Sequence, residues 1–238
     1  MQLYVPPEAR YGMPAADQIL INRQYTVGYS YRIRQPKWVL EVIDAQSQIV
    51  NVDRTDSFRP DYRIPEQFRV DNDHYQGSGY ERGHLIASAN RLNSSLLNSE
   101  TFLMSNMSPQ SRELNNGLWK ELEMEVRNLK QQDNIEEVYS ICGPLWAYGK
   151  AVESIEAALP NVIIPIPHLF FKCILSVNGN GRFKQYAFII PHGENLSELK
   201  DYQYRVNEVE QFAGLFFWQQ LSGSYIDRQK NTLYKLWF

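Results

Sequence analysis

The sequence predicts an α+β fold in which helices flank a central antiparallel sheet. Three observations favour it: several runs are rich in β-branched and aromatic residues, one long stretch has helical hydrophobic spacing, and Asn178-Gly179-Asn180-Gly181 is typical of a hairpin turn. The chain contains no internal repeat, low-complexity tract or linker. A single domain over residues 1–238 is therefore the simplest organisation, and its size is sufficient for a sizeable core.

The N-terminal third is predicted to contain two strands followed by a long loop. Residues 1–20 are punctuated by Pro and Ala and should form an extended lead-in. The next runs, Gln24–Arg32 and Lys37–Ile43, predict strands, with a turn at Gln35-Pro36 between them. From Asp53 to Gly79 the pattern gives way to Asp, Arg, Pro, Asn and Gly. A loop of this length in a compact domain is usually functional or mobile.

The rest of the chain is predicted to contain two helices and further strands. Leu118, Leu122 and Val126 recur at helical spacing and predict a helix over Leu114–Gln131. A helix-like pattern also covers Val206–Gln220, before an aromatic tail. Three runs between these helices predict strands: Glu137–Cys142, Val162–Ile166 continuing into Phe170–Val177, and Phe183–Ile190.

The composition is that of an ordinary globular protein with a slight excess of acidic residues. Its 43% hydrophobic and 21% charged residues argue against disorder. The formal net charge of −3 is mild evidence against tight, processive binding to nucleic acid, but it leaves room for a local basic cleft. The aromatic residues are expected to serve the core more often than base stacking. No apolar run is long enough to predict a membrane span.

Cysteine usage excludes two classes of protein. Cys142 and Cys173 are too few for a disulfide framework or a four-ligand zinc site. Each lies in an apolar run, so two buried free thiols are expected. A single bridge between neighbouring strands is the alternative that the sequence leaves open.

Three segments hold most of the residues that could perform chemistry. They are Gly77–His84, Ser105–Gln110 and Leu114–Glu123, and they contain a histidine, asparagines, glutamates and arginines close together in sequence. A neutral imidazole can activate water, an amide oxygen can bind a hard cation, and guanidinium groups can hold a phosphate. Together these residue types indicate a metal-dependent phosphodiesterase.

His84 and Asn115 are the central candidates, and each has an ordinary structural alternative. A histidine with a normal pKa is mostly neutral at pH 7 and can accept a proton from water, although a lone histidine is more often structural. Asn115 projects onto the same helix face as Leu118, Leu122 and Val126. An amide there needs a partner, either a neighbouring loop or a hard cation such as Mg²⁺.

Three charged side chains extend the candidate set near the motif. Glu123 and Arg127 are spaced i,i+4 and could form a plain helix ion pair, which contributes only about 0.3–0.5 kcal/mol. In the functional interpretation, Glu123 orients a metal-bound water and Arg127 faces the phosphate. Arg82 fits either a substrate contact or a buried structural ion pair.

The long loop contributes a further arginine. Arg59, within Asp56-Ser57-Phe58-Arg59-Pro60-Asp61, could supply a phosphate clamp. Arg63 and Arg69 are close rivals for that role.

These residues resemble the DNA/RNA non-specific endonucleases, the sugar-non-specific ββα-metal (His-Me finger) nucleases that include secreted bacterial enzymes and mitochondrial endonuclease G. Several blocks match in order at compatible spacings, over roughly residues 20–190, with the secreted bacterial branch most similar. The blocks are Glu81-Arg82-Gly83-His84, Ser105-Asn106-Met107-Ser108-Pro109-Gln110, Leu114-Asn115 with Trp119 and Leu122-Glu123, Arg23-Gln24-Tyr25, Trp38, Phe58-Arg59-Pro60-Asp61, Gly143-Pro144 and Phe171-Lys172. The resemblance implies a ββα-metal motif with its core at about residues 56–130.

The resemblance also implies a role for each central candidate. His84 matches the general base, and Asn115 matches the one direct protein ligand of Mg²⁺, for which Mn²⁺ could substitute. Glu123 matches the acidic residue that hydrogen-bonds a metal-bound water. The implied reaction is in-line attack of water on phosphorus, with products that carry 5′-phosphate.

Supporting roles follow from the same resemblance. Arg59 and Arg127 match arginines near the scissile phosphate, and Asn106 matches an asparagine that supports the histidine and the metal region. The chain departs from the family pattern at two positions: Glu81 stands where the family usually has Asp, and Ile86 where it usually has Pro. Glu81 is expected to alter local support of the strand more than proton transfer, and Ile86 to alter the local loop geometry.

The leading hypothesis is a Mg²⁺-dependent endonuclease that acts on DNA and RNA with little sequence preference. A catalytically silent nucleic-acid-binding relative is the first alternative, although it would require loss of His84 or Asn115. Another metal-dependent hydrolase ranks lower, because no protease or esterase motif is present. Such a nuclease would endanger its own cell, so export or a protein inhibitor is expected. A secreted or periplasmic location is favoured with the signal absent from this chain, and the oligomeric state stays open.

Overall fold

The computed structural model describes residues 4–156, 162–193 and 196–238. Within these ranges the chain forms eleven strands and five α-helices, joined by loops and short 3-10 turns. The strands are β1 (Gln18–Ile21), β2 (Tyr25–Ser30), β3 (Gln35–Ile43), β4 (Glu81–His84), β5 (Met107–Gln110), β6 (Ile135–Leu145), β7 (Ser154–Glu156), β8 (Ile163–Pro165), β9 (Leu169–Asn178), β10 (Phe183–Pro191) and β11 (Gln203–Tyr204). The helices are α1 (Ser95–Glu100), α2 (Arg112–Asn116), α3 (Leu118–Lys130), α4 (Val206–Ala213) and α5 (Ser224–Lys230).

Seven of the described strands form one antiparallel sheet. Its order is β1-β2-β3-β6-β9-β10-β11, and every neighbouring pair runs antiparallel. Strands β3, β6 and β9 are adjacent near its centre and are buried along most of their length. The predicted α+β class with a central antiparallel sheet is therefore confirmed.

Helices cover both faces of this sheet and produce two hydrophobic cores. On one face, the apolar stripe of α3, which includes Trp119, Leu122 and Val126, packs against sheet residues. On the other face, Val206 and Val209 of α4 belong to the second core. The sheet is consequently the rigid body against which α3 and the segments preceding it are held.

The two thiols lie on adjacent strands but in different cores. Cys142 packs in the core under α3, whereas Cys173 packs in the core under α4. Because their side chains leave the sheet on opposite faces, no bridge forms and both are buried free thiols. The expectation of free thiols is correct. In addition, none of the helices that the structure describes is both long and apolar enough to cross a bilayer.

Most strand predictions are confirmed, with ends shifted by a few residues. The turn at Asn178-Gly179-Asn180-Gly181 joins β9 to β10, and the Asn178 side chain accepts hydrogen bonds from the backbone N–H groups of Asn180 and Arg182. The prediction that Val162–Ile166 continues into the sheet is wrong, because its strand β8 pairs with β7 in a separate two-stranded ribbon. The predicted lead-in over residues 1–20 is also too long, since β1 begins at Gln18.

Both predicted helices are longer than the observed ones, and glycine is the reason in each case. The predicted helix Leu114–Gln131 is divided into α2 and α3 at Gly117, where a Cβ would overlap the carbonyl oxygen of Glu113. The predicted helix Val206–Gln220 ends at Ala213, and Gly214 caps it in the left-handed region at φ 61°. Because of the break at Gly117, Asn115 belongs to the short helix α2 and not to α3.

Candidate active site

A small two-stranded antiparallel sheet, β4 and β5, forms the floor of the site. Strands β4 and β5 pair antiparallel with His84 opposite Met107, and α2 and α3 follow directly. Glycine is required at position 83, because a Cβ there would overlap the buried Gln110 side chain on the facing strand. The indole Nε1 of Trp119 donates a hydrogen bond to the carbonyl oxygen of His84 at 3.0 Å. This bond fixes the first turn of α3 against the strand that carries the histidine.

Strand β4 and the helices α2 and α3 enclose one side of a cavity of about 610 Å³. Five of the predicted site residues line it: His84, Asn115, Glu123, Arg127 and Arg82. Other charged or polar side chains on its wall include Arg54, Asp56, Asn72, Glu81, Asn116 and Lys120. Four cationic groups therefore face three carboxylates, which gives this acidic protein the local basic cleft that the sequence left room for.

His84 is almost completely buried at the wall of the cavity. Its ring makes edge-on contacts with Phe58 and Phe102, with centroids 5.6 and 4.8 Å away. Burial lowers its pKa to about 3, and the positive charge of Arg54 adds to this effect. Its Nε2 is enclosed and has no hydrogen-bond partner among the described residues. The imidazole is therefore neutral at pH 7 and able to accept a proton.

Asn115 lies at the edge of the cavity with its side-chain orientation fixed. Its Nδ2 donates to Glu81 Oε2 at 2.6 Å, and Asn116 donates to the same oxygen at 3.1 Å. An ionised carboxylate can only accept hydrogen bonds, so the NH₂ end of the amide must face Glu81. Among the described residues, Asn115 Oδ1 is left without a protein partner, which is the arrangement that a cation ligand requires. The half-buried Asn115 does not continue the apolar stripe of α3 as the sequence predicted, because the helix breaks at Gly117.

Glu123 points into the cavity from α3 with an unsatisfied oxygen. Its Oε1 is enclosed and has no hydrogen-bond partner among the described residues. Burial raises its pKa to about 7, although the nearby positive charges of Lys172 and Arg127 oppose that shift. Glu123 and Arg127 do not form the helix ion pair that was one interpretation of their spacing. Arg127 instead donates from Nη1 to Asn90 Oδ1 at 3.0 Å.

Arg59 does not line the cavity, and its contacts give no support to the predicted role as a phosphate clamp. Its Nη1 donates to the carbonyl oxygens of Ser57 and Ser99 at 3.0 and 2.7 Å, and its backbone bridges Leu103. These contacts hold the long loop to the last turn of α1 and to the segment that follows it. The rivals are also engaged elsewhere, since Arg63 pairs with Asp61 and Arg69 stacks on Tyr62.

Arg54, and not Arg59, is the arginine of the long loop that lines the cavity. It pairs with Asp56 at 2.6 Å and donates to Ser88 Oγ at 3.1 Å. Sequence reasoning missed it because the loop has no periodicity that separates one arginine from another. The flanking residues Asp53 and Asp56 indicate that this part of the loop is polar, but they do not distinguish Arg54 from the other arginines of the loop.

Arg82 presents its guanidinium to the cavity and is not part of a buried ion pair among the described residues. Its carbon Cζ lies 4.2 Å from the centre of the Phe58 ring, and Nη1 donates a hydrogen bond to Asn72. Stacking on an aromatic face leaves the outer N–H groups of an arginine available for a ligand. Of the two interpretations of Arg82, the geometry favours the substrate contact.

Asn106 supports the site from below and does not touch the cavity. It is completely buried; its Nδ2 donates to the carbonyl oxygens of Ile86 and Thr101, and its Oδ1 accepts from the N–H of Ile86. These contacts hold the segment after His84, and they give no support to a direct catalytic role for Asn106. The hydrogen bond from the N–H of Ile86 to Asn106 Oδ1 requires a residue other than proline at position 86, because proline has no N–H to donate.

The fold and cavity can be compared with known proteins. The model of the DNA/RNA non-specific endonuclease family matches residues 7–224. The chain belongs to this family. The resemblance that the sequence motifs suggested is thus confirmed, and membership implies a divalent metal and nucleic acid substrates.

Individual relatives are similar over most of the chain. A nuclease of Syncephalastrum racemosum is 34% identical over 232 residues, which cover 90% of this chain and 71% of that protein. Mitochondrial nuclease EXOG of Mus musculus is 31% identical over 90% of this chain, and the aligned part spans 61% of its own length. A solved structure of an EndoG/EndoGI complex, which concerns EndoG inhibition, superimposes with a TM-score of 0.79 at 30% identity, covering 90% of this chain and 91% of that chain.

Proposed function

We propose that the protein is a Mg²⁺-dependent endonuclease that hydrolyses phosphodiester bonds in DNA and RNA and leaves 5′-phosphate ends. One observation carries this proposal: the neutral imidazole of His84 and the free amide oxygen of Asn115 line a single cavity together with three arginines. A base, a hard-cation ligand and phosphate-binding groups are the minimum set that metal-assisted phosphodiester hydrolysis needs.

The donor set of the cavity fits a hydrated Mg²⁺ ion. Asn115 would supply Oδ1 as the direct ligand, and Glu123 would accept hydrogen bonds from coordinated water through its unpartnered Oε1. No group of three or more His, Cys, Asp or Glu side chains that could hold a metal occurs in the described parts of the chain. Mg²⁺ binds through few protein oxygens and keeps several waters, whereas zinc and calcium require fuller protein shells. When bound, the ion stabilises negative charge on the phosphate and on the leaving 3′-oxygen.

His84 acts as the general base. Because Nε2 is enclosed, Nδ1 is the nitrogen left to face the cavity and to take a proton from the attacking water. Burial, with the positive charges of Arg54 and Arg82 adding to it, holds the pKa of His84 at about 3, so the imidazole is a weak base in the absence of substrate. A bound phosphate carries the opposite charge to Arg54 and Arg82, so substrate binding offsets the part of the pKa shift that these arginines cause.

Arg54, Arg82 and Arg127 hold the phosphate. Each lines the cavity, and guanidinium groups match phosphate oxygens in charge and geometry. Contacts to phosphate carry no information about the bases, so little sequence preference and action on both DNA and RNA are expected. The solved EndoG complex supports a protein inhibitor as a further partner.

Digestion of plasmid DNA and of a defined RNA, each with Mg²⁺ and with EDTA, tests the proposal. Both substrates should be cut only in the presence of the divalent ion, and the new ends should be ligatable without added kinase because they carry 5′-phosphate. A silent nucleic-acid-binding relative would bind both substrates and cut neither. Products with 5′-hydroxyl ends would refute the assigned direction of cleavage.

A further inference from the structure

Arg127 is held by a buried polar network that begins in the central sheet. Its Nη1 donates to Asn90 Oδ1, and Asn90 in turn donates from Nδ2 to both carboxylate oxygens of Glu41, each at 3.1 Å. Glu41 lies on β3 and is 1% exposed, and Asn90 is 3% exposed. The network therefore runs from the rigid interior of the sheet to the wall of the cavity.

The direction of every bond in the network is determined by chemistry. A carboxylate only accepts hydrogen bonds, so the NH₂ end of the Asn90 amide must face Glu41 and its oxygen must face Arg127. A guanidinium only donates, so Arg127 requires an acceptor at that point. An amide satisfies a carboxylate at one end and a guanidinium at the other without adding charge.

Arg91 anchors the network at its inner end. Its Nη2 pairs with Glu41 at 2.9 Å and also donates to the carbonyl oxygen of Gln24, while both members of the ion pair are 1% exposed. A buried carboxylate is stable only when it is paired and hydrogen-bonded. Because the permanent charge of Arg91 balances Glu41, the carboxylate stays in place to hold Asn90.

We propose that Asn90 is a positioning residue that aims the guanidinium of Arg127 at the scissile phosphate, with the Glu41–Arg91 pair as its anchor. The inference rests on the proposed function of Arg127 as a phosphate contact. Arg127 has a long flexible side chain, and among the described residues its guanidinium donates a hydrogen bond to Asn90 alone. One N–H is thus fixed on the protein, and the remaining donors keep a defined direction toward the cavity.

A double-mutant cycle tests whether Asn90 acts through Arg127. Asn90→Ala, Arg127→Ala and the double variant are compared for kcat/KM on a defined oligonucleotide duplex with Mg²⁺. Misplacement of a catalytic group by about 1 Å can lower the rate about 100-fold, so N90A should lower kcat/KM between about 10- and 100-fold. In the R127A background the same substitution should change kcat/KM less than about twofold, because its target is gone. An equal loss in both backgrounds, or no loss in either, overturns the inference.

Binding without metal provides a readout that does not depend on catalysis. In EDTA, the affinity for duplex DNA is measured by fluorescence anisotropy at several salt concentrations. The slope of log affinity against log salt should become shallower by about 0.9 for each phosphate that the protein no longer neutralises. R127A and N90A should each reduce the slope by most of this amount, and the double variant should reduce it no further. If the wild type binds but cuts nothing with Mg²⁺, the proposed function fails while this cycle still tests the network.

Asn98→Ala is the matched control. Asn98 is equally buried in the same region, and it bonds the carbonyl of Ser88 and the N–H of Thr55 without contacting Arg127. Its substitution should lower Tm, and any loss of kcat/KM should add to that of R127A. If N90A does not fold, Asn90→Ser replaces it in the cycle, because a shorter hydroxyl cannot bridge Glu41 and Arg127. Coupling of N98A to R127A as strong as that of N90A contradicts the inference.

Discussion

The carboxyl group of Glu123 should make the metal-free protein less stable as the pH rises, and Glu123→Gln should remove this effect. The pKa of Glu123 is raised to about 7 in the folded protein from its usual 4.5, chiefly by burial. The folded state thus holds the proton more tightly than the unfolded chain. The neutral carboxyl stabilises the fold fully below pH 4.5, and this stabilisation is lost as the pH rises through about 7.

The size of the effect follows from the shift. A difference of about 2.5 pKa units corresponds to roughly 3 kcal/mol at most, at about 1.36 kcal/mol per unit. Part of the Glu123 side chain is exposed although its Oε1 is enclosed, and solvent screening reduces the expected effect to about 1–2 kcal/mol. For a chain of this length, that corresponds to a change in Tm of about 3–6 °C.

Thermal unfolding in EDTA at pH 5 and pH 8 measures this difference. The Tm of E123Q relative to the wild type should increase by the stated amount between the two pH values. Glu121→Gln, a substitution at an exposed position of the same helix, controls for the loss of a carboxylate as such. Addition of Mg²⁺ at pH 8 should stabilise the wild type more than E123Q, because a nearby cation favours the ionised form. A relative Tm that is lower at pH 8 than at pH 5 would refute the assigned environment of Glu123.

Two further predictions concern the long loop and the pair of strands β4 and β5. Arg54→Ala should lower kcat/KM about 100-fold with little change in Tm, because a contact that stabilises charge on the phosphate is lost. Arg59→Ala should mainly lower Tm, because the carbonyl groups that Arg59 binds lose their hydrogen-bond donor. The opposite pattern would assign the phosphate contact to Arg59. Gly83→Ala should destabilise the fold by about 1–3 kcal/mol, because the added methyl group overlaps the Gln110 side chain. Gly179→Ala is the control and should not destabilise the fold, because its methyl group meets only the flexible end of Glu136 at 3.3 Å. Equal unfolding temperatures for the two variants would contradict the packing described for β4 and β5.

The sheet and the catalytic helix could be predicted because their patterns are local. The apolar spacing of Leu118, Leu122 and Val126 predicts α3, and these are the residues that pack on the sheet. Val162–Ile166 misled because an apolar run does not specify its partner, and the partner here is the short strand Ser154–Glu156. The sequence contains Gly117, but it does not reveal that the carbonyl oxygen of Glu113 lies where a Cβ of residue 117 would be.

The site could be predicted only where a motif names its residues. His84, Asn115 and Glu123 come from matched blocks, and the structure brings all three to one cavity. The contact between Glu81 and Asn115 and the path from Glu41 to Asn90 join residues far apart in sequence. Such contacts depend on tertiary packing, for which a single sequence carries no local signal.

In the proposed active site, Asn115 binds the metal ion and His84 activates the attacking water, so the two roles can be separated by mutation. Mn²⁺ binding by electron paramagnetic resonance, measured alongside DNA hydrolysis in the same preparations, tests this most directly. His84→Ala should bind Mn²⁺ with wild-type affinity while turnover falls about 10²–10⁴-fold, and Asn115→Ala should lose Mn²⁺ binding together with activity. Wild-type Mn²⁺ affinity in N115A, or near-wild-type hydrolysis by H84A, would contradict the proposed active site.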